Sequence, residues 1–158
     1  MMKKQFFAVT FILSLAFAST AQAGGIPPNL KFTHIVSSGA SPNRLNARNA
    51  TYQFELHVVG KALSSISIEL PPEIKANGEV DVTAQAGIQP KASVSLNGNK
   101  ETITFSELIP PETTLIFYLH GVNNSGFQRI HLLPISGKLD GINQDLSFGM
   151  VRIQINDK

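Results

Sequence analysis

Apolar residues recur at every second position along most of this chain, and the i, i+3, i+4 spacing of an amphipathic helix hardly occurs. From Ala50 to Val59, Tyr52, Phe54, Leu56 and Val58 share one side while Thr51, Gln53, Glu55 and His57 share the other, which predicts a half-buried strand. Shorter signals of the same kind cover Lys31 to Val36, Ser65 to Leu70, Glu79 to Thr83, Ala92 to Leu96, Thr102 to Phe105 and Thr113 to His120. Asn97-Gly98 offers positive φ at both central positions of a tight turn, so the strands on either side are expected to pair antiparallel. Pro71-Pro72 and Pro110-Pro111 mark strand ends, because proline donates no ladder hydrogen bond, and each pair predicts a crossover between sheets.

The last strand changes parity. Leu146, Phe148 and Met150 keep one side, and Val151, Ile153 and Ile155 take the other, with Gly149 at the switch. A β-bulge near Gly149 and Met150 would keep all six on the core side; a strand buried on both faces is the alternative. About eight short strands with turn residues between them predict an all-β fold, an antiparallel two-sheet sandwich of immunoglobulin-like size.

The first 23 residues read differently. Lys3 and Lys4 precede an apolar run from Phe6 to Ala18, and Ser19-Thr20-Ala21-Gln22-Ala23 supplies the small residues of a cleavage site, so residues 1–23 are expected to be a signal peptide. The run is too short to span a hydrocarbon core of ~30 Å as a helix, and no second candidate follows. Residues 24–158 then form one domain, secreted to the periplasm or the extracellular space. Losing Lys3 and Lys4 from the 13 Lys and Arg leaves a number equal to the 11 Asp and Glu. A neutral surface without a basic run gives no counterion-release drive toward phosphate, which argues against nucleic acid and anionic membrane as partners. Cysteine is absent, so disulfides, thiolate metal sites and a lipid-anchor cysteine are all excluded, and stability must come from packing and sheet hydrogen bonds.

Four stretches together carry a family resemblance: Pro27-Pro28-Asn29-Leu30, Ala50 to Leu56, Ile109 to Leu115, and Leu146 to Ile153. In that order they resemble a family of small secreted proteins found mainly in cyanobacteria, a conserved domain without assigned activity. The resemblance implies a secreted sandwich and supplies no catalytic residues. Where the family usually shows Pro-Gly-Thr-Thr, this chain reads Pro111-Glu112-Thr113-Thr114, and its segment from Phe127 to Gly137 also departs from the family's aromatic-rich pattern.

Candidate chemistry is sparse. His34, His57, His120 and His131 include no pair at i, i+2 on a strand or i, i+4 on a helix, the spacings that preassemble a metal pair, and His57 and His120 fall opposite the core parity of their strands. No Gly-x-Ser-x-Gly elbow occurs. Asp140 to Asp145 offers oxygen ligands but lacks the acid register of a calcium loop, and reads as a turn. The expectation is therefore a non-catalytic protein with no cofactor and no metal. Recognition is assigned to two loops, Asn43 to Asn49 with Arg44 and Arg48, and Asn123-Asn124-Ser125-Gly126. The partner expected is an envelope protein or a glycan. An adhesive or fibre subunit assembling through edge strands is the alternative, and a small hydrolase or metal-binding protein ranks below both.

Overall fold

The computed structural model describes residues 31–124 and 128–156. The expected signal peptide, the Pro27–Leu30 lead-in and the Ser125-Gly126 turn lie outside these residues. Ten strands run through the described chain: β1 (His34–Ser41), β2 (Ala50–His57), β3 (Leu63–Glu69), β4 (Ile74–Lys75), β5 (Val80–Ala84), β6 (Ala92–Asn97), β7 (Lys100–Ile109), β8 (Thr114–Asn124), β9 (Ile130–Leu139) and β10 (Leu146–Gln154). One antiparallel sheet has the order β1-β2-β8-β4, with β5 also paired to β8; the other has the order β10-β9-β3-β7-β6. The fold is the all-β two-sheet sandwich that the alternation predicts.

Each sheet buries one parity, and the two buried faces meet. Tyr52, Phe54 and Leu56 of β2 and Leu115, Phe117 and Leu119 of β8 face Ile66, Ile68, Ile103, Leu133, Ile135, Val151 and Ile153 of the other sheet. Phe54 lies opposite Phe117 in the ladder, and their rings stack 4.8 Å apart at 9°. Gly137 of β9 faces the same interior. A Cβ there would meet the Ser65 carbonyl oxygen and lie 2.7 Å from the Phe148 ring, so a hydrogen atom is all the space admits.

Both double prolines stand at crossovers: Pro71-Pro72 carries the chain from β3 to β4 in the other sheet, and Pro110-Pro111 carries it from β7 to β8. Three details depart from the sequence expectation, and a fourth, β9, extends the stretch Leu133 to Gly137 that reads as sheet from its residues. The hairpin closes on the pair Asn97↔Lys100, so its loop is Gly98-Asn99 rather than Asn97-Gly98. Only Gly98 takes a positive φ (65°), the pattern of a turn with glycine at its first central position; the register Val94↔Ile103, which keeps both side chains inward, decides this.

The C-terminal bulge exists, but one residue earlier than expected. The ladder slips between Ser147 and Gly149, Phe148 turns inward, and Met150 is left 61% exposed rather than in the core. Next, β9 is a full strand with a proline inside it. Its ladder with β3 ends at Ile68↔Ile135, immediately before Pro134, so the missing N–H interrupts no bond on that side. Finally, Asn123 and Asn124 are not loop residues: β8 runs through both, paired to Lys75 and Ile74.

Candidate functional site

The loops divide between two ends of the sandwich. The first end carries residues 42–49, the β3–β4 connection and the hairpin tip, and it gathers all four residues assigned to recognition. Arg44 and Arg48 are exposed on the 42–49 loop. Asn123 is exposed and its Oδ1 accepts from the Asn49 N–H at 3.0 Å, while the Asn124 N–H donates to the Ala47 carbonyl at 3.3 Å. Asn46 and Asn49 take left-handed φ of 54° and 57°, which asparagine tolerates best among residues with a side chain. The two expected recognition loops thus meet, with the second contributing a strand end. Asn124 is buried, so it braces the 42–49 loop instead of facing a partner.

Beneath this end lies a polar cluster that sequence reasoning missed. His131 has no exposure, its Nδ1 is 3.6 Å from Glu73 Oε1, and its ring centre is 6.1 Å from that of Tyr52. The parity of β9 carried the signal, since His131 stands in line with Leu133 and Ile135; Glu73, on the Pro-Pro-Glu crossover, gave none. The Tyr52 hydroxyl is buried without a hydrogen-bond partner. Burial, and secondarily the Glu73 charge, push the Tyr52 phenol up from 10.0 to about 12. Because the folded pKa exceeds the unfolded one, the neutral phenol's contribution to stability is complete below pH 10 and disappears as pH rises toward 12.

Tyr52 and Tyr118 are the only tyrosines, so a Tyr118→Phe background isolates Tyr52 in an ultraviolet titration. In that background Glu73→Gln is expected to lower the midpoint while leaving it above 10, since burial is the larger cause. An unchanged midpoint would show that the Glu73 charge does not reach the phenol.

The outer face of the first sheet carries two hydroxyl–imidazole–carboxylate chains. Thr51 Oγ1 is 3.1 Å from His120 Nδ1, and His120 Nε2 is 3.0 Å from Asp81 Oδ2. Thr114 Oγ1 is 3.0 Å from His57 Nδ1, and His57 Nε2 is 3.6 Å from Glu112 Oε2. Both histidines are partly exposed on the outer face, as their parity predicts. The residue types resemble a catalytic triad, but the setting does not. The first chain lies across three neighbouring strands of a ladder, whose backbone groups pair with one another, and the second runs from the β2–β8 pair to the β7–β8 corner. These contacts tie β2, β5 and β8 together from outside. Among the described residues no three His, Asp or Glu gather closely enough to hold a metal ion.

The opposite end carries a groove with a volume of about 710 Å³. Its walls are the β5–β6 loop, with Ile88 and Pro90, and the β7–β8 corner, with Leu108, Pro110 and Leu115. Ile88 is 66% and Leu108 49% exposed, so two large apolar side chains face water at its rim. Glu107 and Glu112 stand beside them. Glu112 adopts φ of 64°, with its N–H donating to the Val58 carbonyl at 2.7 Å. The loop geometry that glycine would take freely is therefore kept at some conformational cost.

No protein-family model matches the chain, and no curated protein matches it. Solved structures do. A non-cellulosomal cohesin from the hyperthermophilic archaeon Archaeoglobus fulgidus aligns over 80% of this chain and 92% of its own, with a TM-score of 0.53 and 14% identity. The N-terminal domain of the Streptococcus gordonii adhesin Sgo0707 aligns over 79% of this chain and 32% of its own, with a TM-score of 0.52 and 11% identity. The chain is thus similar in fold to β-sandwich domains of cohesins and adhesins. Among the described residues no helix is long and apolar enough to cross a membrane.

Proposed function

We propose that this protein is an exported, non-catalytic binding module that holds an extended peptide segment of an envelope or extracellular protein in the groove between the β5–β6 loop and the β7–β8 corner. The observation that carries this reading is the pairing of a cavity of about 710 Å³ with exposed Ile88 and Leu108 at its mouth. The groove is lined without any aromatic ring for a sugar to stack on, which favours a peptide over a glycan. Apolar walls beside Glu107 and Glu112, which outnumber the single basic lining residue Lys91, suit apolar and basic side chains on that segment. The fold shared with cohesin and adhesin domains supports a binding role. Secretion rests on the leader-like first 23 residues, and membership of the secreted family on the four stretches that resemble it.

The test compares retention of envelope proteins by the processed chain and by variants. Leu108→Asp, at an exposed position, is expected to reduce retention about tenfold or more, the scale of a central apolar anchor, while Arg44→Ala/Arg48→Ala at the other end leaves it unchanged. Loss through the arginine variant with Leu108→Asp intact would move recognition to the 42–49 loop and overturn the groove reading.

A further inference from the structure

We infer that β6 is a self-pairing edge, through which two copies of this chain join their second sheets about a twofold axis centred on Val94. Sheet edges expose unpaired backbone groups, and proteins protect them with bulges, charges, prolines or brevity. Three of the edges here are protected in these ways. β1 is bulged at Val36 and held against β10 by Ser38 Oγ, which donates to the Arg152 carbonyl at 2.8 Å. β10 is bulged at Phe148 and carries Arg152. On the far side of the first sheet, β4 has two residues, and β5 has five that include Asp81. The remaining edge, β6, reads Ala-Ser-Val-Ser-Leu-Asn, with no charge, no proline and no slip in its register with β7.

The free hydrogen-bonding groups of β6 can be identified. The hairpin closes on Asn97↔Lys100, and the Ser106 N–H donates to the Lys91 carbonyl at 2.9 Å, so the odd-numbered residues direct their backbone groups toward β7. Ala92, Val94 and Leu96 therefore direct theirs outward. Antiparallel pairing about Val94 lets the two Val94 residues exchange both bonds, and likewise Ala92 with Leu96 of the second copy. The same register keeps Ala92, Val94 and Leu96 on the inner face of both copies. It sets Ser93 beside Ser95 of the second copy on the outer face.

That outer face fits itself. Ser95, Thr102, Ser67, Ser136 and Ser147 lie in one row across all five strands, and Ser93, Thr104 and Ser65 lie in the row beside it. Joining two copies at β6 sets Ser93 and Ser95 of one copy beside those of the other, with no like charges opposed across the junction, since Lys138 ends the second row on β9, three strands away from β6. A twofold axis of this kind closes after two copies, so the edge makes a dimer and not a fibre. The inference is independent of what the groove binds.

Sedimentation equilibrium of the processed chain over a wide concentration range tests it. The expected result is a monomer–dimer equilibrium without larger species. Val94→Pro removes an N–H that points away from β7, and Ser93→Lys/Ser95→Lys sets lysines opposite one another across the axis at two exposed positions. Each is expected to weaken the dimer about tenfold or more while circular dichroism retains the β signal. Should Val94→Pro fail to fold, the lysine variant decides. A chain that stays monomeric at millimolar concentration, or a dimer that the lysine variant leaves intact, overturns the inference.

Discussion

Phe117→Ala is expected to remove about 3–5 kcal/mol of stability, the cost of emptying a large buried aromatic site, from a domain whose whole margin is of order 5–15 kcal/mol. Phe117 has no exposure, and its ring stacks at 4.8 Å on Phe54, which is 1% exposed. Alanine loses the buried area and the ring pairing together, and β8 cannot close the space because its neighbours β2 and β5 hold it in register on both sides. Urea denaturation should show the midpoint falling with little change in slope. Phe54→Ala should cost a similar amount, and the double variant less than the sum, since the second change removes a contact already broken. Phe32→Ala is the control: the side chain is 62% exposed, and a surface truncation of this kind should stay within about 0.5 kcal/mol. An additive double variant would mean that the stacked pair is not a coupled unit.

The second large effect runs the other way. Glu101→Leu is expected to stabilise the protein at pH 7 by about 1–3 kcal/mol, the scale of a buried polar group left without partners. Glu101 has no exposure, and neither carboxylate oxygen has a hydrogen-bond partner of good geometry. Burial raises its pKa above the usual 4.5, with the Gly78 N–H pulling weakly the other way. The folded state therefore binds the proton more tightly than the unfolded chain does. Stability from this group is complete below pH 4.5 and falls as pH rises through the folded value. The wild-type chain should lose stability over that interval, while the leucine variant should not, so the gap between them widens with pH. Thermal melts at pH 4 and pH 7 measure it. A variant less stable than wild type at pH 7 would show that the Gly78 contact holds an ionised carboxylate to advantage.

Glu101 also marks the limit of sequence reading in this protein. Its strand was legible from Ile103 and Phe105, and the same parity extends inward to Glu101. Alternation states which side a residue faces but not whether a charged one at the end of a strand reaches water. His131 is the same case on β9, masked further by Pro134, which argues against a central strand until the β3 ladder is seen to end beside it. The C-terminal bulge was legible as a parity break, but its placement at Phe148 was not. The apolar count by itself places Met150 in the core with the other five, whereas the pairing Gly149↔Ile135 leaves it facing water. Of the recognition residues, Arg44 and Arg48 stand exposed on their loop, whereas Asn124 is buried, which the sequence did not show because the two-residue β4 that pairs with it is too short to carry a period.

What the amino-acid order determined by itself was the strand-by-strand alternation, the crossovers at the double prolines and the absence of a disulfide. These are local consequences of a two-residue repeat, a missing amide hydrogen and a missing thiol. Tertiary structure alone decided which strands became edges, which polar groups were sealed in the core, and that residues 85–91 and 110–114 would enclose a groove. Each of these depends on which distant segments become neighbours when two sheets hide their apolar faces from water, and no window along the chain records that proximity.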